Sequence, residues 1–226
     1  MWLLVSADTD YDEFVDFVSS KDVILKKCTG TRGEGIRKVC SKDITDVRGL
    51  YEECVREGLL VEECVTGYHD MQKFHPASLN TLRIVTFKIN DKPRVICAFF
   101  LTGLGRQCIN NMHAGGILCG VNTESGVVES DGYDLYGHEY LCHPESKERF
   151  MGFRIPQWDK CIDVCRNAMM KYGNVRVVGW DVCVTENGEV EIIEGNHAPD
   201  IDLIQVIYGG CRGMLREILK EYNIRL

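Results

Sequence analysis

Hydrophobic and polar positions along the chain follow two different periods. Residues 11–20 and 157–172 place apolar side chains three or four positions apart, which predicts amphipathic helices. Shorter apolar or alternating runs, bounded by glycine, asparagine and aspartate, predict strands. The predicted helices span residues 11–20, 45–57, 157–172 and 209–222, and the predicted strands span residues 22–27, 36–40, 59–65, 81–89 and 94–101. The third helix is expected to place one apolar face on Trp158, Ile162, Cys165 and Met169. Because most strands are joined by hairpins, we predict an α+β fold rather than a doubly wound sheet.

The last predicted strand pair contains the strongest candidate chemistry. Residues 178–196 hold two apolar-rich runs on either side of Asn187-Gly188, a dipeptide typical of tight hairpin turns. If these two residues form the turn, Asp181 lies directly opposite Glu194. Two like charges that face each other destabilise a sheet unless another group offsets them. A divalent cation is the obvious candidate for that group.

Asn196 completes this candidate ligand set. It follows Glu194 by two positions and therefore lies on the same face of the strand, opposite Gly179, which leaves space. Two carboxylates and an amide oxygen are hard ligands of the kind that Mg²⁺ takes, with water or phosphate at the remaining positions. The alternative interpretation is a solvated hairpin with scattered acids.

Composition indicates a globular protein and argues against nucleic-acid-binding, membrane-spanning and secreted classes. The 226 residues are 45% hydrophobic and 27% charged, as in an ordinary globular protein. A formal net charge of −8, without a run of lysine and arginine, argues against nucleic-acid binding. No apolar run approaches a membrane span, and the first residues lack the features of a signal peptide. We therefore expect a cytoplasmic protein.

Twelve cysteines are many for a chain of this length. Their spacings are wide and irregular, no Cys-x-x-Cys occurs, and most of them lie inside apolar runs. Without a secretory signal, this pattern favours reduced, buried thiols. A cysteine-based zinc site is the second alternative.

A glycine-rich loop at residues 29–35 lies between two predicted strands. It contains neither the P-loop nor the dinucleotide-binding glycine pattern. A glycine hairpin can still let backbone N–H groups approach phosphates, with Lys26 as a nearby point charge. A flexible surface hairpin explains the loop equally well.

Three further signals are weak when each is taken alone. Glu62 and Glu63 lie in a strand that could meet an adenine and a ribose, although acids on an edge strand are common. Arg83 could stabilise charge in a cleft, but a surface ion pair is the better interpretation by itself. Asn111, which precedes a Gly-Gly pair, is equally ambiguous.

Taken together and in this order, these features resemble the ATP-grasp superfamily, and more closely the sugar-transfer-associated ATP-grasp proteins. The matching segments are Lys26 with residues 30–35, residues 61–65, residues 78–83, Asn111 with Gly115-Gly116, residues 155–158, residues 179–181, and Glu194-Gly195-Asn196 with Gln205. The Asn-Thr-Leu-Arg segment and the Gly-Trp-Asp…Glu-Gly-Asn segment are specific, whereas the glycine loop and the hinge strand are generic.

The resemblance implies an ATP-grasp core of two α+β subdomains with mainly antiparallel sheets enclosing a nucleotide cleft. The small subdomain would span residues 1–66, with the glycine loop and hinge strand. The large subdomain would span residues 67–226, with the metal and phosphate site.

The resemblance also implies a role for each candidate residue. Asp181, Glu194 and Asn196 would hold Mg²⁺, while Arg83 and Lys26 would act on the transferred phosphoryl group. The residues that it assigns to ATP are Lys26, Gly30, Gly33, Gly35, Glu62, Glu63, Val65, His69, Asp70 and Asn111.

The implied reaction is ligation. A carboxylate would be activated by ATP as an acyl phosphate, which an amine then attacks, in surface polysaccharide or peptide-like metabolite synthesis. Two alternatives stay open: a kinase of a small molecule or sugar, and a non-catalytic nucleotide-binding remnant. One departure from the family pattern is that only about two dozen residues precede Lys26. The chain would then be a fragment, or a minimal form in which a partner chain or a second copy replaces the usual N-terminal domain, or a degenerate form.

Overall fold

The computed structural model describes residues 2–28, 35–105, 115–210 and 212–221. The chain forms two compact units, residues 1–65 and residues 66–226. Each unit combines an antiparallel sheet with helices. The prediction of an α+β fold with mainly antiparallel sheets is therefore confirmed.

The first unit is a four-stranded sheet with two helices on one face. Its elements are β1 (Trp2–Leu4), α1 (Tyr11–Ser20), β2 (Val23–Lys27), β3 (Arg37–Val39), a single 3₁₀ turn (Ser41–Asp43), α2 (Val47–Glu57) and β4 (Leu59–Glu63). The strand order is β1-β4-β2-β3, with every neighbouring pair antiparallel. The inward side chains of the strands pack with Phe14, Phe17 and Val18 of α1.

Local sequence fixes the ends of both helices. The Asp10 carboxylate accepts hydrogen bonds from the backbone N–H groups of Asp12 and Glu13, so α1 begins where the sequence predicts. The Asp46 carboxylate caps α2 by accepting a hydrogen bond from the backbone N–H of Gly49. Gly58, at φ +61°, ends α2 in the left-handed conformation and leads directly into β4.

The second unit is built on a seven-stranded sheet. Its elements are α3 (His69–Gln72), β5 (Thr81–Ile89), β6 (Lys92–Thr102), β7 (Ile117–Val121), β8 (Val128–Tyr133), β9 (Glu139–Tyr140), α4 (Trp158–Lys171), β10 (Val177–Val184), β11 (Val190–Asn196), α5 (Asp202–Tyr208) and α6 (Arg212–Glu221). The strand order is β11-β10-β5-β6-β7-β8-β9, and all pairs are antiparallel.

Both faces of this sheet carry hydrophobic cores. Helix α4 packs on one face through Trp158, Ile162, Cys165 and Met169, so its predicted apolar side is confirmed. Helix α5 packs part of the opposite face, where its Leu203 and Ile204 join the inward residues of β5, β6 and β7. The remainder of that second face, toward β10 and β11, carries the candidate site.

The end of the chain differs from the prediction. The helix predicted over residues 209–222 corresponds to α6, which begins later, at Arg212, and follows a separate helix, α5, that ends at Tyr208. Gly209 and Gly210 both have positive φ, which interrupts the helical conformation between them. Helix α5 was not predicted, since its seven residues are too few for a clear helical period.

The ten described cysteines are free thiols. Burial raises the pKa of Cys54 to about 11 and that of Cys161 to about 12, so these thiols stay protonated at neutral pH. Within the described ranges, no group of three or more histidine, cysteine, aspartate or glutamate side chains could hold a metal ion. No helix in the described part of the chain is long and apolar enough to cross a membrane.

Candidate functional site

The β10–β11 hairpin brings the predicted metal ligands together. Asp181 is the cross-strand partner of Glu194, and Gly179 is the partner of Asn196. These are the pairs that the sequence predicts. The Asn196 amide donates a hydrogen bond from Nδ2 to Oε1 of Glu194 at 2.8 Å, so the two side chains share one end of the strand.

The predicted two-residue turn is nevertheless wrong. The resulting error of one residue in the strand register is cancelled by a bulge further along β11. Val184 pairs with Val190, and Thr185 N–H bonds Glu189 O, which leaves a three-residue loop rather than two turn residues. A two-residue Asn-Gly turn needs positive φ at both residues, and here only Gly188 has it, at +76°. A bulge at Ile193 then restores the pairing of Asp181 with Glu194.

The bulge adds a residue that the sequence interpretation missed. Glu191 pairs with Cys183 and therefore shares the face of Asp181 and Glu194. In the predicted register it would lie on the opposite face. The available signal was the Ile192-Ile193 pair, which breaks the apolar–polar alternation of the strand and leaves Ile193 37% exposed.

Arg83 lies on the other side of Asp181. It is the cross-strand partner of Asp181 from β5. Its Nε donates to Oδ1 of Asp181 at 2.5 Å, and its Nη2 donates to Oδ2 at 2.9 Å. The Arg83 and Asp181 side chains are only 14% and 17% exposed, so this is a two-point, largely buried ion pair rather than a surface one.

Asp181 is therefore held between a cation and an anion across three strands. Burial raises the pKa of Asp181 to about 6, and the facing Glu194 adds to this rise, while Arg83 opposes it. The carboxylate remains available as an anion at neutral pH. A positive ion placed against Asp181 and Glu194 would relieve their repulsion.

The space expected at Gly179 is already occupied. A Cβ at this position would lie 2.8 Å from Cβ of Pro199 and 3.2 Å from Cδ of Arg83. Glycine is required here because the residues after β11 turn back over the strand and Arg83 crosses it from the other side. Pro199 thus borders the site, which the sequence did not indicate.

The donor set fits Mg²⁺. Asp181 and Glu194 supply carboxylate oxygens and Asn196 supplies an amide oxygen, all on one sheet face. Arg83 adds a planar donor of the kind that binds phosphate oxygens. Such a set can bind a divalent cation together with a phosphate group.

The first unit presents the other predicted nucleotide residues. Lys26 Nζ lies 2.7 Å from Oε2 of Glu62, and Lys21 Nζ lies 2.9 Å from Oε2 of Glu63. Lys21 lowers the pKa of Glu63. Gly35 has φ +75°, and a Cβ at this position would lie 3.7 Å from Cγ of Lys27. The structure thus brings Lys26 and Glu62 together on one sheet.

The remaining predicted residues are distributed as follows. His69 and Asp70 begin α3 in the second unit, where Asp70 forms an ion pair with Lys73, and His69 is exposed. Val65 follows β4 at the end of the first unit. Gly30, Gly33 and Asn111 lie outside the described residues.

Comparison with solved structures supports the fold. The ATP-grasp ligase PsnB in complex with a minimal precursor is 16% identical, with a TM-score of 0.55, and the match covers 98% of this chain and 55% of PsnB. PsnB with a phosphomimetic variant of that precursor, Mg and ADP is 15% identical, with a TM-score of 0.53, covering 98% and 53%. N5-carboxyaminoimidazole synthase from Aspergillus clavatus, with ADP and its ribonucleotide, is 12% identical, with a TM-score of 0.52, covering 89% and 40%.

The chain spans about half the length of the PsnB structures that it matches. No curated protein sequence matches it. The family model for sugar-transfer associated ATP-grasp proteins matches residues 2–220, which is nearly the whole chain and includes both units and the acidic hairpin. The chain belongs to the sugar-transfer associated ATP-grasp family.

Proposed function

We propose that the chain provides the nucleotide and metal site of an ATP- and Mg²⁺-dependent ligase, which activates a carboxylate as an acyl phosphate for attack by an amine. The observation that carries this proposal is the row formed by Arg83, Asp181 and Glu194 across three strands. Facing carboxylates are unfavourable for a sheet by themselves. They are favourable where a divalent cation and a phosphate are to be bound.

In the proposed reaction, the γ-phosphoryl group passes from ATP to a carboxylate oxygen, and ADP leaves. The amine nitrogen then bonds to the acyl carbon, inorganic phosphate leaves, and the amine gives up a proton. Phosphoryl transfer of this kind depends on positioning and charge neutralisation rather than on a protein nucleophile. The second unit offers groups of that type at the acidic hairpin.

The chain's own residues divide this work. Asp181, Glu194 and Asn196 would hold Mg²⁺, which when bound neutralises phosphate charge. Arg83, fixed on Asp181 through Nε and Nη2, would orient the transferred phosphoryl group. Lys26 would bind phosphate oxygens after its ammonium group leaves Glu62.

The remaining nucleotide contacts and the biological setting are also proposals. Glycines of the loop, the hinge residues Glu62, Glu63 and Val65, and His69, Asp70 and Asn111 complete the nucleotide contacts in this proposal. The family description and the free thiols support a cytoplasmic role linked to sugar transfer, in surface polysaccharide or peptide-like metabolite synthesis. Residues beyond the 226 described by this sequence, in the same chain, a partner chain or a second copy, would supply the acceptor side.

Calorimetric titration with Mg·ATP, repeated in EDTA, tests the site. We expect binding that requires Mg²⁺, and we expect Glu194→Gln to weaken it about tenfold or more while leaving the fold as stable or slightly more stable. Glu189→Gln, which makes the same change in charge at the turn of the same hairpin, is the matched control. Equal affinity in native protein and Glu194→Gln would refute the ligand assignment.

Two further readouts separate the parts of the proposal. Lys26→Ala should weaken ATP more than adenosine, because only ATP carries phosphates. Screening carboxylates and amines for release of ADP and phosphate tests the reaction, and a phosphorylated hydroxyl product would replace the ligase with a kinase. If the folded chain binds no nucleotide, or binds it without Mg²⁺, both the ligase proposal and the kinase alternative fail.

A further inference from the structure

In the described part of the first unit, both helices pack on one face of the four-stranded sheet, and the edge strand β1 is unexpectedly apolar on the other face. Trp2 and Leu4 are 67% and 50% exposed. They are two positions apart in β1 and therefore point to the same face. The opposite face of the sheet, with Val23, Leu25 and Val61, is buried with α1 and α2.

The register places Trp2 opposite an acidic residue and on the same sheet face as Lys26. Trp2 pairs with Glu62 of β4, and Glu62 pairs with Ile24 of β2. Lys26 lies on the same face of β2, two residues from Ile24, and its ammonium group is bonded to Glu62. One sheet face thus carries an exposed indole at the edge and a cation two strands away.

The separation between these groups suits one kind of ligand. Neighbouring strands lie about 4.8 Å apart, so the Trp2 and Lys26 strands are about 10 Å apart. A planar ring stacked at Trp2 would leave a phosphate chain within reach of Lys26, as in an extended nucleoside polyphosphate. Aromatic side chains stack on any base through the π-face, while lysine binds phosphate as a point charge.

We propose that Trp2, supported by Leu4, forms a stacking platform for the base of the bound nucleotide, with Lys26 receiving its phosphates. This inference rests on the proposed function, since it requires ATP to bind the first unit. It adds a binding residue on β1 to the contacts expected from β2, β4 and the glycine loop. The nucleotide would then cross β4 from the edge of the sheet toward its centre.

The other two tryptophans make Trp2 easy to follow. Trp158 and Trp180 are 6% and 3% exposed. Their indole N–H groups donate to Thr123 O and Thr86 Oγ1. Trp2 is thus the one largely exposed indole of the three. Bound nucleotide should quench its fluorescence and shield it from acrylamide, and Trp2→Phe should abolish both changes.

Affinity measurements separate the base from the phosphates. We expect Trp2→Ala to weaken Mg·ATP about tenfold, Trp2→Phe to retain most of the affinity, and tripolyphosphate with Mg²⁺ to bind equally well to native protein and Trp2→Ala. Lys26→Ala should instead weaken both Mg·ATP and tripolyphosphate, because both ligands carry the phosphates that Lys26 would receive. Tyr136→Ala, which removes another exposed aromatic side chain far along the sequence in the second unit, is the control.

The outcomes distinguish this inference from the proposed function. If Mg·ATP binds without changing Trp2 fluorescence, and Trp2→Ala binds it with native affinity, the stacking proposal is wrong. The proposed nucleotide site is then unaffected. If Trp2→Ala weakens tripolyphosphate as much as ATP, Trp2 acts on the fold rather than on the base, and the platform is again wrong. If the folded native chain binds neither ligand, both proposals fail together.

Discussion

The two units each carry an ion pair between strands, and the pairs differ in depth and geometry. Lys26 and Glu62 are 23% and 29% exposed and meet at a single contact. Arg83 and Asp181 are 14% and 17% exposed and meet at two parallel hydrogen bonds. Only the second pair also faces another carboxylate, Glu194.

This difference indicates what each pair can do. A partly solvated lysine pair contributes little to stability, so a phosphate can replace the carboxylate at small cost. A buried arginine pair cannot be opened without leaving an uncompensated charge in the sheet. The first unit therefore provides an exchangeable cation, and the second unit provides a fixed one.

The largest effect expected from this contrast follows removal of Arg83. Arg83→Met should destabilise the protein by about 3 to 5 kcal/mol at neutral pH, because Asp181 and Glu194 would then face each other without a counter-charge. Denaturant unfolding measures the change. The double variant Asp181→Asn/Arg83→Met should recover much of the lost unfolding free energy. A loss below about 1 kcal/mol in Arg83→Met alone would show that the ion pair is effectively solvated.

A pH series sharpens the same point. The folded pKa of Asp181, about 6, lies above its ordinary value of 3.8, so the folded state binds the proton more tightly than the unfolded state. The contribution of Asp181 to the free energy of unfolding is therefore greatest below about pH 4. It falls by up to about 3 kcal/mol as the pH rises toward 6.

The control for this series is Asp181→Asn, which cannot titrate. The difference in unfolding free energy between native protein and Asp181→Asn should change between pH 4 and 6 and stay constant from pH 7 to 8. A constant difference over the whole range would mean that Arg83 balances burial and Glu194, so that the pKa of Asp181 is not raised in the folded state.

Alanine substitutions at two glycines on opposite faces of the hairpin should have smaller effects, one mainly on stability and the other on Mg·ATP affinity. A Cβ at Gly195 would lie 2.7 Å from Cζ3 of Trp180, inside the core. Gly195→Ala should therefore destabilise by about 2 kcal/mol, with unchanged Mg·ATP affinity in the folded protein. Gly179→Ala presses on Pro199 and Arg83 and should reduce that affinity. Equal changes in stability and in Mg·ATP affinity for the two variants would contradict the assignment of one face to the core and the other to the site.

The smallest effect is expected at the pair in the first unit. Lys26→Met should change the unfolding free energy by less than about 1 kcal/mol, because both partners are partly solvated. Thermal unfolding at two salt concentrations measures it. A loss comparable to that of Arg83→Met would remove the contrast between an exchangeable and a fixed cation.

Much of the fold was predictable because its signals are local. Helix α1 begins and ends where the apolar spacing predicts, and β5 has its predicted bounds. Helix α5 and strands β7 to β9 were not predicted, because they are short and are defined by contacts with the rest of the sheet. Isolated hydrophobic runs of this length do not distinguish a helix from a strand.

The candidate site shows the same division. The pairing of Asp181 with Glu194 was predicted correctly from a wrong turn, since the bulge at Ile193 shifts the strand back by one residue. Glu191 and Pro199 were missed because local sequence does not place either of them. Their positions depend on the bulge and on the return of the chain after β11.

The sequence by itself determined which groups are available: the glycine loop, the acids and amide of one hairpin, and an arginine and a lysine on separate strands. Their order along the chain was enough for a resemblance to the ATP-grasp superfamily, because the order of such motifs is a property of the sequence. Only the tertiary structure decided that Arg83 lies on Asp181, that Glu191 shares its face, and that Trp2 is exposed beside the Lys26 pair. Cross-strand register and burial decide these contacts, and both depend on residues distant in sequence.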